Sequence, residues 1–221
     1  MYIKRHRTQA ERSERTRELL LEATIECLVE LGYARTTVQG ICQRAGLSRG
    51  AQQHHFTTKA ELMAAALQHL FARLAQQVRH ATETLPAGPE RITTAVDLLW
   101  QSYSGTLSTA AMELWVAART DPELRAVLLP VDRALGHATL EFYRQAGGPG
   151  TDEKLLEKLL LLSVNLTRGL ALDAMIGGDA GRRSVLIDEW KAMVLEHYRS
   201  AGGPGDGGRT GPRSARPPQQ K

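Results

Sequence analysis

Apolar residues recur at helical spacing along almost the whole chain, and no segment shows the strict alternation of a half-buried strand. Between Arg17 and Leu31, the residues Leu20, Ala23, Thr24, Cys27, Leu28 and Leu31 line one face, and Gly32 ends the run. A short second helix is expected to face Val38, Ile41, Cys42 and Ala45 inward, with Thr36 and Gln39 spaced as a capping box at its start. Gly46 tolerates the left-handed conformation and stops that helix, and Leu47 plugs the joint. Ser48 then caps a third helix that opens at Arg49 and carries Gln52, Gln53, His54 and His55. Thr58 and Glu61 form a further capping box just after Phe56. Two short helices joined by a tight turn, the second basic and amide-rich, have the build of a helix-turn-helix, whose second helix enters the DNA major groove. They cannot bury their own apolar faces, so the longer helix before them is expected to complete a small core.

Further helices follow. One from Thr58 to about Glu83 carries Leu62, Leu67, Leu70, Phe71, Leu74 and Val78, and Pro86, Gly88 and Pro89 break it. Helices over Glu90–Tyr103 and Ser108–Arg119 are separated at Gly105. Asp121 and Pro122 give an N-cap and a first-turn proline for a helix towards Arg144, which Pro130 is expected to kink or split. Gly147 to Gly150 reads as a loop. The helix over Asp152–Ile176 is apolar on two stripes, Leu155, Leu159, Leu162, Leu166 and Leu170 on one, and Leu156, Leu160, Val164, Ala171 and Met175 on the other. A helix from about Arg183 to Arg199 adds Leu186, Trp190, Met193 and Val194. A two-faced helix needs partners on both sides, so these last two helices are expected to pair across a two-fold axis into a four-helix bundle. A dimer would also set two reading heads about 34 to 36 Å apart, in successive major grooves.

The net charge of +4 is unevenly spread: +4 over residues 1–60, −3 over 61–200 and +3 in the tail from Ala201. Positive charge beside the motif suits phosphate contact. With 42% hydrophobic residues in 221, the chain is long enough for a real core. It has no run approaching the roughly 18 to 20 apolar residues of a membrane span, nor the apolar segment of a signal peptide, and a cytoplasmic location is expected. Cys27 and Cys42 both fall on core-facing positions, as buried free thiols do. The Gly, Pro, Arg and Gln bias from Gly202 cannot build a core, so residues 201–221 are expected to be a disordered tail.

Catalytic and metal chemistry find no support. His54 and His55 are consecutive and diverge by roughly 100° on a helix. The remaining histidines are scattered, with no H-x-x-x-H, C-x-x-C or G-x-S-x-G spacing, so no cofactor is expected. A helical adaptor without DNA or ligand binding is the competing class, and salt-sensitive DNA binding separates the two.

The segment from Arg17 to Lys59 resembles the N-terminal domain of the tetracycline-repressor (TetR) family of transcriptional regulators. The resemblance implies an all-α protein with a three-helix, homeodomain-like head and a C-terminal helical bundle for ligand binding and dimerisation. The expected organisation is a basic arm over 1–13 (Lys4, Arg5, Arg7), a DNA-binding domain over 14–74 with its motif at 37–56, and a ligand-binding and dimerisation domain over 75–200. It also implies a repressor released from a palindromic double-stranded operator by a small-molecule inducer. Gln52 and Gln53 depart from the family pattern, which has an apolar residue and then a tyrosine. Gln52 is expected to face the interior, and the Gln53 amide suits a bidentate contact to adenine.

Thr37 and Lys59 are the candidates for phosphate contact, and Arg49, Gln53 and His54 for base edges. Gly50 and Ala51 are small enough for the backbone to approach DNA. Candidate ligand contacts are Trp100, Tyr103, Met112, Trp115, Phe142, Asn165, Arg168 and Met175, with Ser102 and Asp173 as further polar lining groups.

Overall fold

The computed structural model describes residues 8–83, 90–147 and 152–200. Residues 1–7 of the expected arm, the break at Pro86, Gly88 and Pro89, positions 148–150 of the expected loop and the tail lie outside the described residues, whereas residues 9–13 of the arm already belong to the first helix and Gly147 to the helix before the loop. Among the described residues all regular structure is helical. The helices are α1 (Gln9–Arg35), α2 (Val38–Ala45), α3 (Arg49–His55), α4 (Lys59–Glu83), α5 (Glu90–Tyr103), α6 (Thr106–Ala118), α7 (Pro122–Gly147), α8 (Glu153–Met175) and α9 (Ala180–Ser200).

Local chemistry sets most of the boundaries. α1 starts well before its apolar run because Thr8 and Glu11 make a reciprocal capping box. Its inward face holds Leu20, Leu21, Thr24, Cys27 and Leu28, while Leu31 is exposed, one residue before the chain turns at Gly32 with φ of 74°. The cap of α2 is Thr37 and not Thr36. The Thr37 hydroxyl accepts the Gly40 N–H at 3.0 Å, whereas Thr36 is buried with its hydroxyl against the carbonyl oxygens of Cys27 and Gly32. Gly46 at φ 67° ends α2, and Ser48 caps α3 by accepting the Ala51 N–H. Thr58 accepts the Glu61 N–H at 3.1 Å while Glu61 accepts from Thr57 and Thr58, which starts α4.

α7 opens on Asp121, whose carboxylate accepts the Leu124 N–H, and it continues through Pro130 without splitting. Pro130 and Ala126 are both exposed, so the carbonyl deprived of its helical donor faces water.

Two apolar clusters hold the molecule. One joins α1, α2 and Phe56 to α4, α6 and the first half of α7; the other joins α5, the end of α7, α8 and α9. The head therefore shares its core with the body, and the packing crosses residue 74.

The α8–α9 turn gives a direct test of local strain. Gly178 donates its N–H to the Asp173 carbonyl, and the Asp173 carboxylate, held by Arg183 at 2.9 Å, occupies the space of a Gly178 side chain. Gly178→Ala is expected to cost about 1 to 2 kcal/mol, a fall of roughly 3 to 6 °C in melting temperature. Adding Asp173→Ala should recover part of that loss in a thermal melt.

Candidate nucleic-acid interface and inner cavity

α3 presents two pairs outward, the members of each about one helical turn apart. Arg49 and Gln53 stack four residues apart, as do Gly50 and His54, and all four are exposed. Ala51 is half-buried. Gln52 points the other way: it is 3% exposed, and its amide donates to the Phe56 carbonyl at 2.8 Å. A buried amide thus stands where the family pattern has an apolar side chain, and it closes the end of the recognition helix. His54 and His55 diverge, their rings edge to face. Burial lowers the His55 pKa, helped by the charges of His54 and Arg17, so His55 is the neutral imidazole at neutral pH.

Thr37 is exposed at the N-terminus of α2, where its hydroxyl hydrogen remains to donate. Lys59 has a different setting. It is half-buried between head and body, with its ammonium donating to the Tyr33 carbonyl at 3.0 Å and lying 3.9 Å from the Tyr33 ring centroid. Burial lowers its pKa, and Asp121 acts against that.

Tyr33 joins head to body, a role that sequence reasoning missed. Its N–H donates to Glu113 of α6 at 2.8 Å and its hydroxyl to Asp121 at 2.7 Å. Burial and the bond to Asp121 push its pKa up to about 12. The only sequence signal was a Gly-Tyr pair at a helix end; its partners lie 80 and 88 residues away.

A cavity of about 240 Å³ lies between α4, α5 and α7. Of the candidate ligand contacts, Tyr103, Phe142 and Ser102 line it, together with Phe71, Leu135 and Thr139, which sequence reasoning did not select. Leu135, Thr139 and Phe142 follow helical spacing, which was the available signal. Trp115 lines a second depression of about 220 Å³ between α6 and α7, with Leu128, Leu129 and Asp132. The Arg168 guanidinium lies 4.3 Å from the Trp115 ring and 5.8 Å from that of Tyr103, and it pairs with Asp132 at 3.7 Å. It lines neither hollow itself, although it touches a lining residue of each. Trp100, Met112, Asn165 and Met175 line neither: Met112 is buried in α6, Trp100 is half-buried, Asn165 is exposed with its amide on the Leu161 carbonyl, and Met175 is exposed. Asp173 is committed to the α8–α9 turn.

The stripe expected to meet a second copy divides. Leu159, Leu170 and Val194 are buried within the chain itself, because α8 and α9 pack on α5 and α7. Leu155, Leu166 and Trp190 are half-buried, with the Trp190 indole donating to Ser163 at 2.8 Å. Leu162, Leu186 and Met193 are exposed, and Leu161, Leu172, Ile176 and Val185 are exposed with them.

Among the described residues no three His, Cys, Asp or Glu side chains gather as a metal site needs, and no helix is long and apolar enough to cross a membrane. An all-helical chain whose N-terminal helix-turn-helix turns arginine, glutamine and histidine outward belongs to the DNA-binding transcriptional regulators. Comparison narrows the class. Residues 20–66 match the family model for bacterial regulatory proteins of the tetR family. An uncharacterized HTH-type transcriptional regulator of Mycobacterium tuberculosis is 32% identical over 170 residues, 75% of this chain and 86% of that protein. The HTH-type transcriptional regulator CymR of Pseudomonas putida is 31% identical over 195 residues, 88% of this chain and 96% of that protein. The chain belongs to the TetR family of bacterial transcriptional regulators, and its role is regulatory and not catalytic. A transcriptional regulator from Streptomyces coelicolor shares the fold, with a TM-score of 0.63 at 22% identity over 85% of this chain and 99% of that one. So does a regulator from Saccharomonospora viridis solved in complex with choline, with a TM-score of 0.62 at 17% identity over 84% and 96% of the two chains.

Proposed function

We propose that the protein is a homodimeric repressor that holds a palindromic operator with two copies of α3 and releases it when a small molecule enters the α4–α5–α7 cavity. The observation that carries this reading is α4 itself. It begins at Lys59, four residues beyond the recognition helix, and farther along it lines the cavity with Phe71 and Leu74. One rigid element touches both sites, so a ligand that prefers one position of α4 shifts the reading head. The choline complex of the Saccharomonospora viridis regulator supports small-molecule binding by a protein of this fold. In this reading residues 14–74 contact DNA and residues 75–200 sense and dimerise, within the cytoplasm.

Leu162 and Leu172 of α8 and Ile176 just past its end, with Val185, Leu186 and Met193 of α9, supply an apolar outer face for the second copy. Arg49, Gln53 and His54 read base edges over the small Gly50 and Ala51, while Thr37 and Lys59 hold phosphates, Lys59 with the ammonium hydrogens that Tyr33 does not use.

Selection of bound fragments from random DNA tests the core of this reading: a palindrome with half-sites one helical turn apart is the expected result, and a single unrepeated site would overturn the dimer. The absence of any salt-sensitive binding to DNA would indicate an adaptor instead. Gln53→Ala is expected to cost about 1 to 3 kcal/mol at one base position and relax preference there. An equal loss on every sequence would remove Gln53 from the readout.

A further inference from the structure

The hollow between α6 and α7 has a chemistry of its own. Trp115 and Ala118 of α6, with Leu128 and Leu129 of α7, give it an apolar floor. Arg119, Arg125 and Asp132 are the other side chains that line it. Its volume of about 220 Å³ exceeds the roughly 150 Å³ cavity known to hold benzene, which leaves room for a one- or two-ring skeleton.

Charge decides what that skeleton carries. Asp132 is the one acidic side chain of the lining, and Arg168, which stands outside the hollow, pairs with it at 3.7 Å. Arg119 and Arg125 are both exposed, and neither guanidinium forms an ion pair or a hydrogen bond with a described residue. Three guanidinia thus stand around one carboxylate, an excess of two positive charges beside apolar surface. Apart from the Asp132 carboxylate, the polar atoms of the lining side chains are all donors: the two guanidinia and the Trp115 indole N–H. An anionic group therefore meets donors and a positive field, while a cation meets a repulsion that the already paired Asp132 does not offset. The α4–α5–α7 cavity lacks this bias, since Arg79 and Glu141 in its lining are of opposite sign.

Two exposed arginines alone hold a small anion weakly, because water and salt screen them. The floor of Trp115, Leu128 and Leu129 adds the burial of hydrocarbon, provided that anion and hydrocarbon belong to one molecule.

We propose that the α6–α7 hollow is a second binding site, for an amphipathic anion: a one- or two-ring apolar skeleton bearing a sulfonate, carboxylate or phosphate. The site is independent of the effector reading of the α4–α5–α7 cavity. Its occupant touches the two helices beside the head, where Glu113 of α6 and Asp121, just before α7, hold Tyr33.

Calorimetry on the full chain at low salt, with 2-naphthalenesulfonate, 2-naphthalenesulfonamide, 2-naphthylmethylammonium and inorganic sulfate, tests it. The sulfonate is expected to bind roughly tenfold more tightly than the neutral sulfonamide, and the gap should narrow as salt is added. The ammonium and the ring-free sulfate should bind weakest. Fluorine NMR locates the site on protein carrying 5-fluorotryptophan at its three tryptophans. The Trp115 resonance, assigned with Trp115→Phe, should shift with the sulfonate, and those of Trp100 and Trp190 should stay. The Arg119→Gln, Arg125→Gln double variant alters exposed side chains only. It should erase the gap between sulfonate and sulfonamide while binding the sulfonamide as the parent does, which shows an intact floor. A sulfonamide or a sulfate equal to the sulfonate, an ammonium tightest of the four, a gap that survives the double variant, a shift at Trp100 or Trp190 in place of Trp115, or no binding by any probe each overturns the proposal.

Discussion

Ile41→Ala is expected to lower stability by about 2 to 5 kcal/mol and to take operator binding down with it. Ile41 is fully buried at the centre of α2, in a cluster with Leu20, Leu21, Leu28, Phe56 and Leu62. Removing its outer carbons leaves a void that cannot collapse, because α1 and α4 are long helices anchored in the body on the far side. The seven-residue α3 is far too short to persist alone, so it depends on α2 for its position. Chemical unfolding measures the first effect and fluorescence anisotropy on a selected operator the second. Val194→Ala, a truncation in the other cluster, is the comparison: it should cost stability with much less loss of DNA affinity. Equal loss of operator binding for both variants would contradict the argument.

Tyr33→Ala is the second large effect, expected at about 2 to 4 kcal/mol. The substitution keeps the backbone bonds to Glu113 and Lys59 but removes the ring under the Lys59 ammonium and the donor to Asp121. Tyr33→Phe keeps the ring and loses only the bond to Asp121, so it should cost about 0.5 to 1.5 kcal/mol. The pair of variants apportions the link between head and body. Its pH dependence has a definite sign. The protonated phenol is the bonded form, and its pKa rises from 10 to about 12 on folding. The advantage of wild type over Tyr33→Phe is therefore fully present below pH 10 and lost as pH rises through 12. Urea midpoints at pH 8, 10 and 12 measure it. An advantage that grows with pH would show that the hydroxyl is not held by Asp121.

Much of this architecture is written locally. Gly46, Ser48 and the Thr58–Glu61 pair act within a turn of themselves, so the motif could be read from spacing alone. The cap of α2 slipped by one residue because Thr36 and Thr37 are chemically alike at that range. What separates them is a carbonyl at Cys27, nine residues back, that claims the Thr36 hydroxyl. The inward turn of Gln52 was legible from the resemblance, whose pattern has an apolar residue at that position, and not from local spacing.

The body is less legible because its assignments are made between helices. On α8 the buried face includes Ser163 and Thr167, while Leu161 and Leu162 are exposed. The hydroxyls of Ser163 and Thr167 bond to carbonyls of their own helix, so burying them costs little, and hydropathy alone misplaces the face. The aromatic count pointed towards a pocket but could not say which aromatics share one. Tyr103 and Phe142 meet across α5 and α7, Trp115 opens on another hollow, and Trp100 and Met112 open on neither.

The continuity of the first cluster bears on how such regulators can be recombined. Ala110, Ala111, Leu114 and Ala118 of α6 are buried against the same cluster that roofs the reading head. A head cut after residue 74 would leave Leu62, Met63 and Leu67 facing water along part of their surface. Grafted onto the body of a relative, it would meet a wall shaped for another sequence. Exchange of operator specificity between members is better attempted at the outward positions of α3, where nothing beneath needs to change, than by transplanting the head as a module.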